Sequence, residues 1–271
     1  MKIGIIGSTG MKIDLFTDRS QFETMAVGEK TFRYYHGYAD DHEIFMTARN
    51  QYNGSVPPHA VDYKLIMKGM KLLQLDAIVG TAVVGSLSLQ ITPGSYLVLD
   101  QFLDFTKKTP HTVYDDGEFA FVDFSEPFCP VIRQSLIQAC EAAGVSFLPH
   151  GCYVGVDGPR YETNAEVKMF AMLGGDVVGM TNVTEAIFAR ELGMCYATLC
   201  VVSNYAAGIG SAKEISRQDI FDQNIKSQDN TVEILKRFLS VYTGNEPCDC
   251  RKKNSDMLKS DITFNAQHPS D

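Results

Sequence analysis

The chain has 271 residues, of which 45% are apolar and 21% charged, and it carries a net charge of −9. That is enough for one large α/β domain or two small ones with a substantial core, and the acidic balance excludes a chain built to grip nucleic acid, whose partner wants a basic face. No apolar run approaches the roughly 20 residues that span a bilayer, and the N-terminus "MKIGIIGSTG" starts directly on a strand rather than on a signal segment, so no membrane partner is expected.

In chain order, Ile3–Ile6, Glu43–Ala48, Ala77–Val84 and Tyr96–Leu99 predict strands. Several are apolar throughout, as strands buried on both faces should be. Pro130 to Ala143 predicts a helix, with Ile132, Leu136, Ile137 and Cys140 at helical spacing and Gly144 as its stop. A strand at Cys152–Val156 precedes a helix from Asn164 to Leu173, after Thr163 and before Gly174. Val177–Met180 then leads to a helix from Thr184 to Leu192, which stops at Gly193. A last strand, Tyr196–Val202, precedes a helix from Ser216 to about Tyr242, opened by the capping pair Ser216 and Asp219. The alternation predicts one α/β domain over residues 1–243, with a central mixed sheet flanked by helices. Residues 244–271 are polar and aperiodic, and read as a loosely held tail.

There are seven cysteines, most of them inside apolar stretches. Free thiols there behave as small core residues, and a reducing cytoplasm is the natural compartment. The exception is the pair Cys248 and Cys250 in "CDC". A metal site there would need two more ligands, none stands nearby in the sequence, and no metal is expected.

Several strand ends carry polar groups, where α/β sheets place ligands. "IGIIGSTG" spaces Gly4, Gly7 and Gly10 as G-x-x-G-x-x-G, neither a dinucleotide fingerprint nor a Walker A loop. With Ser8 and Thr9 it makes either a tight turn or an anion nest. Arg49 closes a β-like run; it suits bidentate contact with phosphate or a surface ion pair. His59 follows Pro57-Pro58, and Thr81 sits in "GTAVVGSL". In "GVDGPRYETNAE", Tyr161 and Glu162 precede a helix start. They are a core ring and a helix-dipole partner, or a base-stacking ring and a carboxylate that accepts from an N–H. Met180 and Thr181 end the strand before "NVTEAIFARELG", and Ser203-Asn204 end the last strand.

Taken together and in order, "IGIIGSTG", "TAVVGSL", "EPFCP", "GPRYETNAE", "GMTNVTE" and Ser203-Asn204 resemble the trimeric purine nucleoside phosphorylase and methylthioadenosine phosphorylase family, from residue 1 to about residue 240. The resemblance implies cleavage of a purine nucleoside's N-glycosidic bond by inorganic phosphate, with no metal or organic cofactor. It implies phosphate contacts from Ser8, Thr9, Arg49, His59, the backbone of Val83, and Thr181. Met180 would line the ribose and Tyr161 would stack on the base. Phe121 would close the site of a neighbouring subunit in a homotrimer or a dimer of trimers. Two positions depart from the methylthioadenosine phosphorylases: Asn50 replaces a His, though it can still donate to phosphate, and Ala82 replaces a Thr.

The adenine-specific branch carries Thr-Asp-Tyr-Asp after the last strand, where this chain has Ser203, Asn204, Tyr205 and Ala206. The 6-oxopurine branch instead combines an Asn there with a Glu after the stacking ring, as Asn204 and Glu162 do. An Asn amide donates to O6 or N7, and an ionised Glu accepts from N1–H. Adenine would leave the carboxylate unpaired, and sites that read polar edges discriminate by roughly 10⁴ or more. The expected substrates are methylthioinosine, inosine and guanosine, with Asn204 and Glu162 as catalytic residues. Arg217 and Gln218 near the sugar 5′ position lean toward a 5′-hydroxyl, whereas the chain length, "PFCP" and "CDC" look like the methylthio branch. The alternatives are a methylthioadenosine phosphorylase with an unusual pocket and a non-catalytic nucleoside-binding relative.

Overall fold

The computed structural model describes residues 1–7, 15–17, 20–115, 119–210 and 216–251. Its first half runs β1 (Lys2–Gly7), β2 (Gln21–Val27), β3 (Lys30–Ala39), β4 (His42–Ala48), α1 (Tyr63–Leu72), β5 (Ala77–Ser86), β6 (Tyr96–Val98) and β7 (Gln101–Asp104). There follow α2 (Pro130–Ala143), β8 (Phe147–Leu148), β9 (Cys152–Gly155), α3 (Asn164–Met172), β10 (Val177–Gly179), α4 (Asn182–Glu191), β11 (Tyr196–Tyr205) and α5 (Arg217–Val241). The expected α/β architecture is present: the strands form one mixed sheet, and the helices cover it.

All seven predicted strands form. The structure adds β2, β3, β7 and β8, and the helix α1. Strands β2 and β3 form a hairpin around Gly28-Glu29, with Val27 opposite Lys30. Helix α1 starts where Asp62 accepts a hydrogen bond from the Leu65 N–H, an ordinary N-cap. Helix α4 starts two residues earlier than expected, with Thr181 as its N-cap residue.

The position of the site follows from β5. This strand pairs parallel with β11 along its whole length, and parallel with β1 over Ala77–Gly80 on its other edge. On that second edge β10 joins antiparallel only at Gly85–Ser86. Between the two, Thr81 to Val84 has no strand partner on that edge among the described strands. The opening lies at the C-terminal ends of the parallel strands β1, β4, β5 and β11.

The tail expected from Gly244 begins as a packed segment. Cys250 is buried, and the Arg251 guanidinium donates to the carbonyls of Leu75 (3.3 Å) and Asp76 (3.1 Å). Residues 252–271 lie outside the described residues. No described helix is long and apolar enough to cross a membrane.

Candidate active site

A cavity of about 280 Å³ fills the opening beside β5. Nine residues selected from sequence line it: Arg49 and Asn50 after β4, Val83 on β5, Tyr161 and Glu162 before α3, Met180 and Thr181 after β10, and Asn204 and Ala206 at the end of β11. Residues more than 150 positions apart in the chain thus meet at one end of one sheet.

At one end of the cavity stands a closed ionic network. Arg49 donates through Nε (2.6 Å) and Nη2 (2.9 Å) to both carboxylate oxygens of Glu185 in the first turn of α4, and through Nη1 to the Thr81 carbonyl (2.8 Å). The Tyr196 hydroxyl donates to Glu185 Oε2 at 2.7 Å. Both charged side chains are buried. Burial alone would lower the Arg49 pKa, but the adjacent Glu185 charge holds it above the ordinary arginine value. Burial, then the Glu185 charge, raises Tyr196 well above its ordinary value, so this hydroxyl stays a donor. Three of the five guanidinium N–H groups are used among the described residues, and two remain. Because Thr81 turns its carbonyl toward Arg49, strand alternation turns the backbone N–H of Val83 to the same open edge.

The other expected phosphate contacts divide. Thr181 lines the cavity at the start of α4; its backbone N–H donates to the Tyr153 hydroxyl (3.1 Å) and its Oγ1 to Asn182 Oδ1 (2.7 Å). Asn50 lines the cavity too, but its amide closes the local turn: Nδ2 donates to the Gly54 carbonyl (2.7 Å) and Oδ1 accepts from the Tyr52 N–H (3.1 Å). Among the described residues, one amide hydrogen is left for a ligand, not two. His59 does not line the cavity, although its neighbours Pro58 and Val61 do. It sits in a short 3₁₀ turn, Pro58–Ala60, and its Nδ1 is buried without a partner among the described residues. Ser8 and Thr9 lie outside the described residues.

The opposite end is built around two groups with unused capacity. The register of β11 against β5 shifts between Val202 and Asn204. A bulge of this kind re-aims a side chain. Here it aims Asn204 into the cavity, and Ser203 then fixes the amide. The Ser203 hydroxyl donates to Asn204 Oδ1 (2.7 Å), and Asn204 Nδ2 donates to the Tyr205 carbonyl (2.8 Å), which only accepts and so identifies that atom as nitrogen. The second Nδ2 hydrogen is uncommitted among the described residues.

Glu162 lies in the same cavity with no side-chain hydrogen-bond or ion-pair partner among the described residues. Burial is the main influence on its carboxyl and raises the pKa above the usual value; its own N–H opposes this. The neighbouring cation is taken: Arg160 forms a two-pronged pair with Glu166 at 2.8 and 2.6 Å. Glu166 also closes a capping box with Thr163. The loop bearing Tyr161 and Glu162 is therefore pinned on its far side while the carboxylate stays unpaired. Gly158 has φ +65°, and a Cβ there would stand 2.4 Å from the Met180 sulfur. Only glycine lets the loop pass this close to the Met180 side chain.

Besides His59, two expected residues are not in the cavity. Arg217 is exposed on the first turn of α5; the helix reaches the cavity one turn later, at Ile220. The family resemblance pointed to the start of this helix, but the entry angle of α5 decides which turn arrives. Phe121 is 64% exposed and packs edge-on against Phe119 with ring centroids 5.3 Å apart. Val56 and Val61, which also line the cavity, had no sequence signal beyond ordinary hydrophobicity. Glu185 was visible only as a first-turn acid.

Comparisons with known proteins agree with this geometry. A family model described as "Phosphorylase superfamily" matches residues 2–240. A curated 6-oxopurine nucleoside phosphorylase from Pyrococcus furiosus is 37% identical over 257 residues, covering 92% of this chain and 96% of its own. A probable S-methyl-5′-thioinosine phosphorylase from Thermodesulfovibrio yellowstonii is 34% identical, with 93% and 95% covered. Among solved structures, a methylthioadenosine phosphorylase from an antarctic soil metagenomic library superposes with a TM-score of 0.87 at 25% identity, over 96% of this chain and 93% of its own. The methylthioadenosine phosphorylase of Schistosoma mansoni in complex with adenine gives 0.86 at 25% identity, over 94% and 96%. By fold, by the residues gathered at its cavity and by these similarities, the chain belongs to the phosphorylase superfamily.

Proposed function

We propose that the chain catalyses phosphorolysis of a 6-oxopurine nucleoside, releasing the free base and a ribose 1-phosphate. The observation that carries this reading is the pairing in one cavity of an anchored amide, Asn204, with a carboxylate, Glu162, that no other side chain among the described residues engages. Such a pair matches the lactam edge of hypoxanthine or guanine. The uncommitted Nδ2 hydrogen donates to O6 or N7, and ionised Glu162 accepts from N1–H. Adenine presents an acceptor at N1, which faces the carboxylate with no hydrogen between them.

In the reaction the C1′–N9 bond breaks, its electron pair moves into the purine, and a phosphate oxygen bonds to C1′ from the opposite face with inversion. The purine takes its proton from solvent. Asn204 has no useful acid pKa and acts as a fixed donor to the charge that develops at N7 and O6; such a donor contributes about 10²–10³ in kcat. Ser203 is its positioning residue. Arg49, with two N–H groups left among the described residues, and the Val83 backbone hold phosphate, joined by the Thr181 hydroxyl when it turns from Asn182 Oδ1. Glu185 balances the Arg49 charge and fixes the guanidinium plane. Inorganic phosphate is a co-substrate, and the chemistry calls for no organic cofactor or catalytic metal.

Ile220, Val56 and Val61 favour an apolar 5′ group, so methylthioinosine joins inosine and guanosine as a substrate. The exposed Phe119–Phe121 pair supports a homotrimer in which Phe121 covers a neighbour's cavity; light scattering checks the mass. Seven free thiols support action in the reducing cytoplasm. The test of the function is a nucleoside panel with phosphate, scored by liberated base. Hypoxanthine from inosine or methylthioinosine is the expected product, with none formed when phosphate is omitted. Adenine released from methylthioadenosine with equal or greater efficiency overturns the specificity. No turnover of any nucleoside would favour a binding relative.

A further inference from the structure

Far from the cavity, four cysteines from three parts of the chain converge. Cys129 precedes α2, Cys195 precedes β11, and Cys248 and Cys250 follow α5; their sulfur atoms all lie within 4.8 Å of one another. The "CDC" pair thus has the two further ligands that no neighbouring stretch of sequence supplied. Cys195 and Cys248 sulfurs are 3.4 Å apart, well beyond a bonded pair, and all four residues are free thiols. Three of the four are buried.

The backbone fixes this cluster. The Cys129 N–H donates to the Tyr196 carbonyl at 2.8 Å, which ties the start of α2 to the residue after Cys195. Cys129 stands at the N-cap position of α2, yet its side chain makes no capping hydrogen bond. Its sulfur faces the other thiols instead. The Cys-x-Cys spacing of 248 and 250 allows two sulfurs from one short segment to face the same point.

We infer that Cys129, Cys195, Cys248 and Cys250 bind one thiophilic metal ion, zinc in the first instance, that clasps the segment after α5 to the core. Four thiolates around one point are the ligand set of a closed tetrahedral structural site for zinc, or for iron. Binding replaces four S–H bonds with four metal–sulfur bonds, and the four protons go to solvent. With a divalent ion the filled site carries a charge of minus two. Arg190 is buried, and its positive charge acts on Cys250.

The site does not share a residue with the nucleoside cavity. It lies at the opposite end of β11, about 30 Å away at the usual rise of a strand. Its role is therefore structural, and its test does not depend on the proposed substrate. The protein is purified under reducing conditions from medium containing zinc and iron, and metal per chain is measured by mass spectrometry. About one equivalent of zinc, with no visible absorption, is expected. One equivalent of iron with a thiolate-to-metal absorption band supports the site with a different ion. The Cys248→Ser and Cys250→Ser variants should each lose the metal and about 5 °C or more of thermal midpoint. Their circular dichroism at 25 °C should match the parent. Thiol titration of the denatured, chelated parent should find all seven cysteines free. Less than a tenth of an equivalent of metal, metal retained by both variants, or missing thiols that return on reduction, as for two disulfides, overturns the proposal.

Discussion

At one end of the cavity Arg49 directs three N–H groups to Glu185 and Thr81, and Glu185 also receives Tyr196. At the other end, among the described residues, Asn204 keeps one amide hydrogen uncommitted and Glu162 has no other side chain as partner. The first region is nearly saturated: its charges were compensated during folding, so a ligand there meets a rigid frame. The second is deliberately incomplete by the same accounting, with a burial-raised carboxylate that a ligand N–H would relieve. Stability therefore resides mainly at the first end and specificity at the second. Substitutions should separate the two.

The largest effect is expected from Arg49→Met, which leaves Glu185 buried and uncompensated. Removing one partner of a buried pair destabilises by about 3–5 kcal/mol. Denaturant unfolding should show this, and added phosphate should not restore it. Asn204→Ala should instead fold with nearly unchanged stability and lose about 10²–10³ in kcat on inosine. A stability loss as large as that of Arg49→Met would erase the contrast between the two ends.

Glu162→Gln sharpens the comparison through pH. Burial raises the folded pKa, so ionisation costs more in the folded free protein than in the unfolded chain and opposes folding where the group is ionised. The stability cost is present above the folded pKa and vanishes as pH falls below the ordinary carboxylate value. Substrate binding needs the ionised form. Activity of the parent should therefore fall on the acid side at a pH above the ordinary glutamate range. In Glu162→Gln that acid limb should disappear, kcat/KM on inosine should drop by about tenfold to a hundredfold, and thermal stability at pH 7 should equal or exceed the parent's. An unchanged acid limb in the variant would assign the titration to another group.

The smallest effect belongs to Ser203→Ala. The Asn204 amide loses its anchor but not its place, and kcat should fall by about threefold to tenfold with KM little changed. Rescue by Ser203→Thr would identify the hydroxyl as the positioning group.

What the sequence displayed depended on how each element is buried. The strands beside the cavity were readable because β1, β5 and β11 are covered on both faces and so are apolar almost throughout. Strand β2 alternates exposed and half-buried residues, and its turn at Gly28-Glu29 lacks the usual Asn-Gly signal. Helix α1 was disguised by Gly69, where a Cβ would stand 2.5 Å from the Phe32 ring. At the site, strand-end residues could be placed from the order of motifs that carries the family resemblance. Whether His59 or Arg217 points inward could not, because that depends on a 3₁₀ turn and on the approach of α5. The Arg49–Glu185 pair and the four-thiol cluster join residues distant in sequence, so no local pattern announced either.

The most direct test is a crystal structure with hypoxanthine and phosphate bound. The account predicts Asn204 Nδ2 within hydrogen-bond distance of O6 or N7, Glu162 within that distance of N1, and phosphate on Arg49. A base held with either side chain turned away from its lactam edge would contradict it.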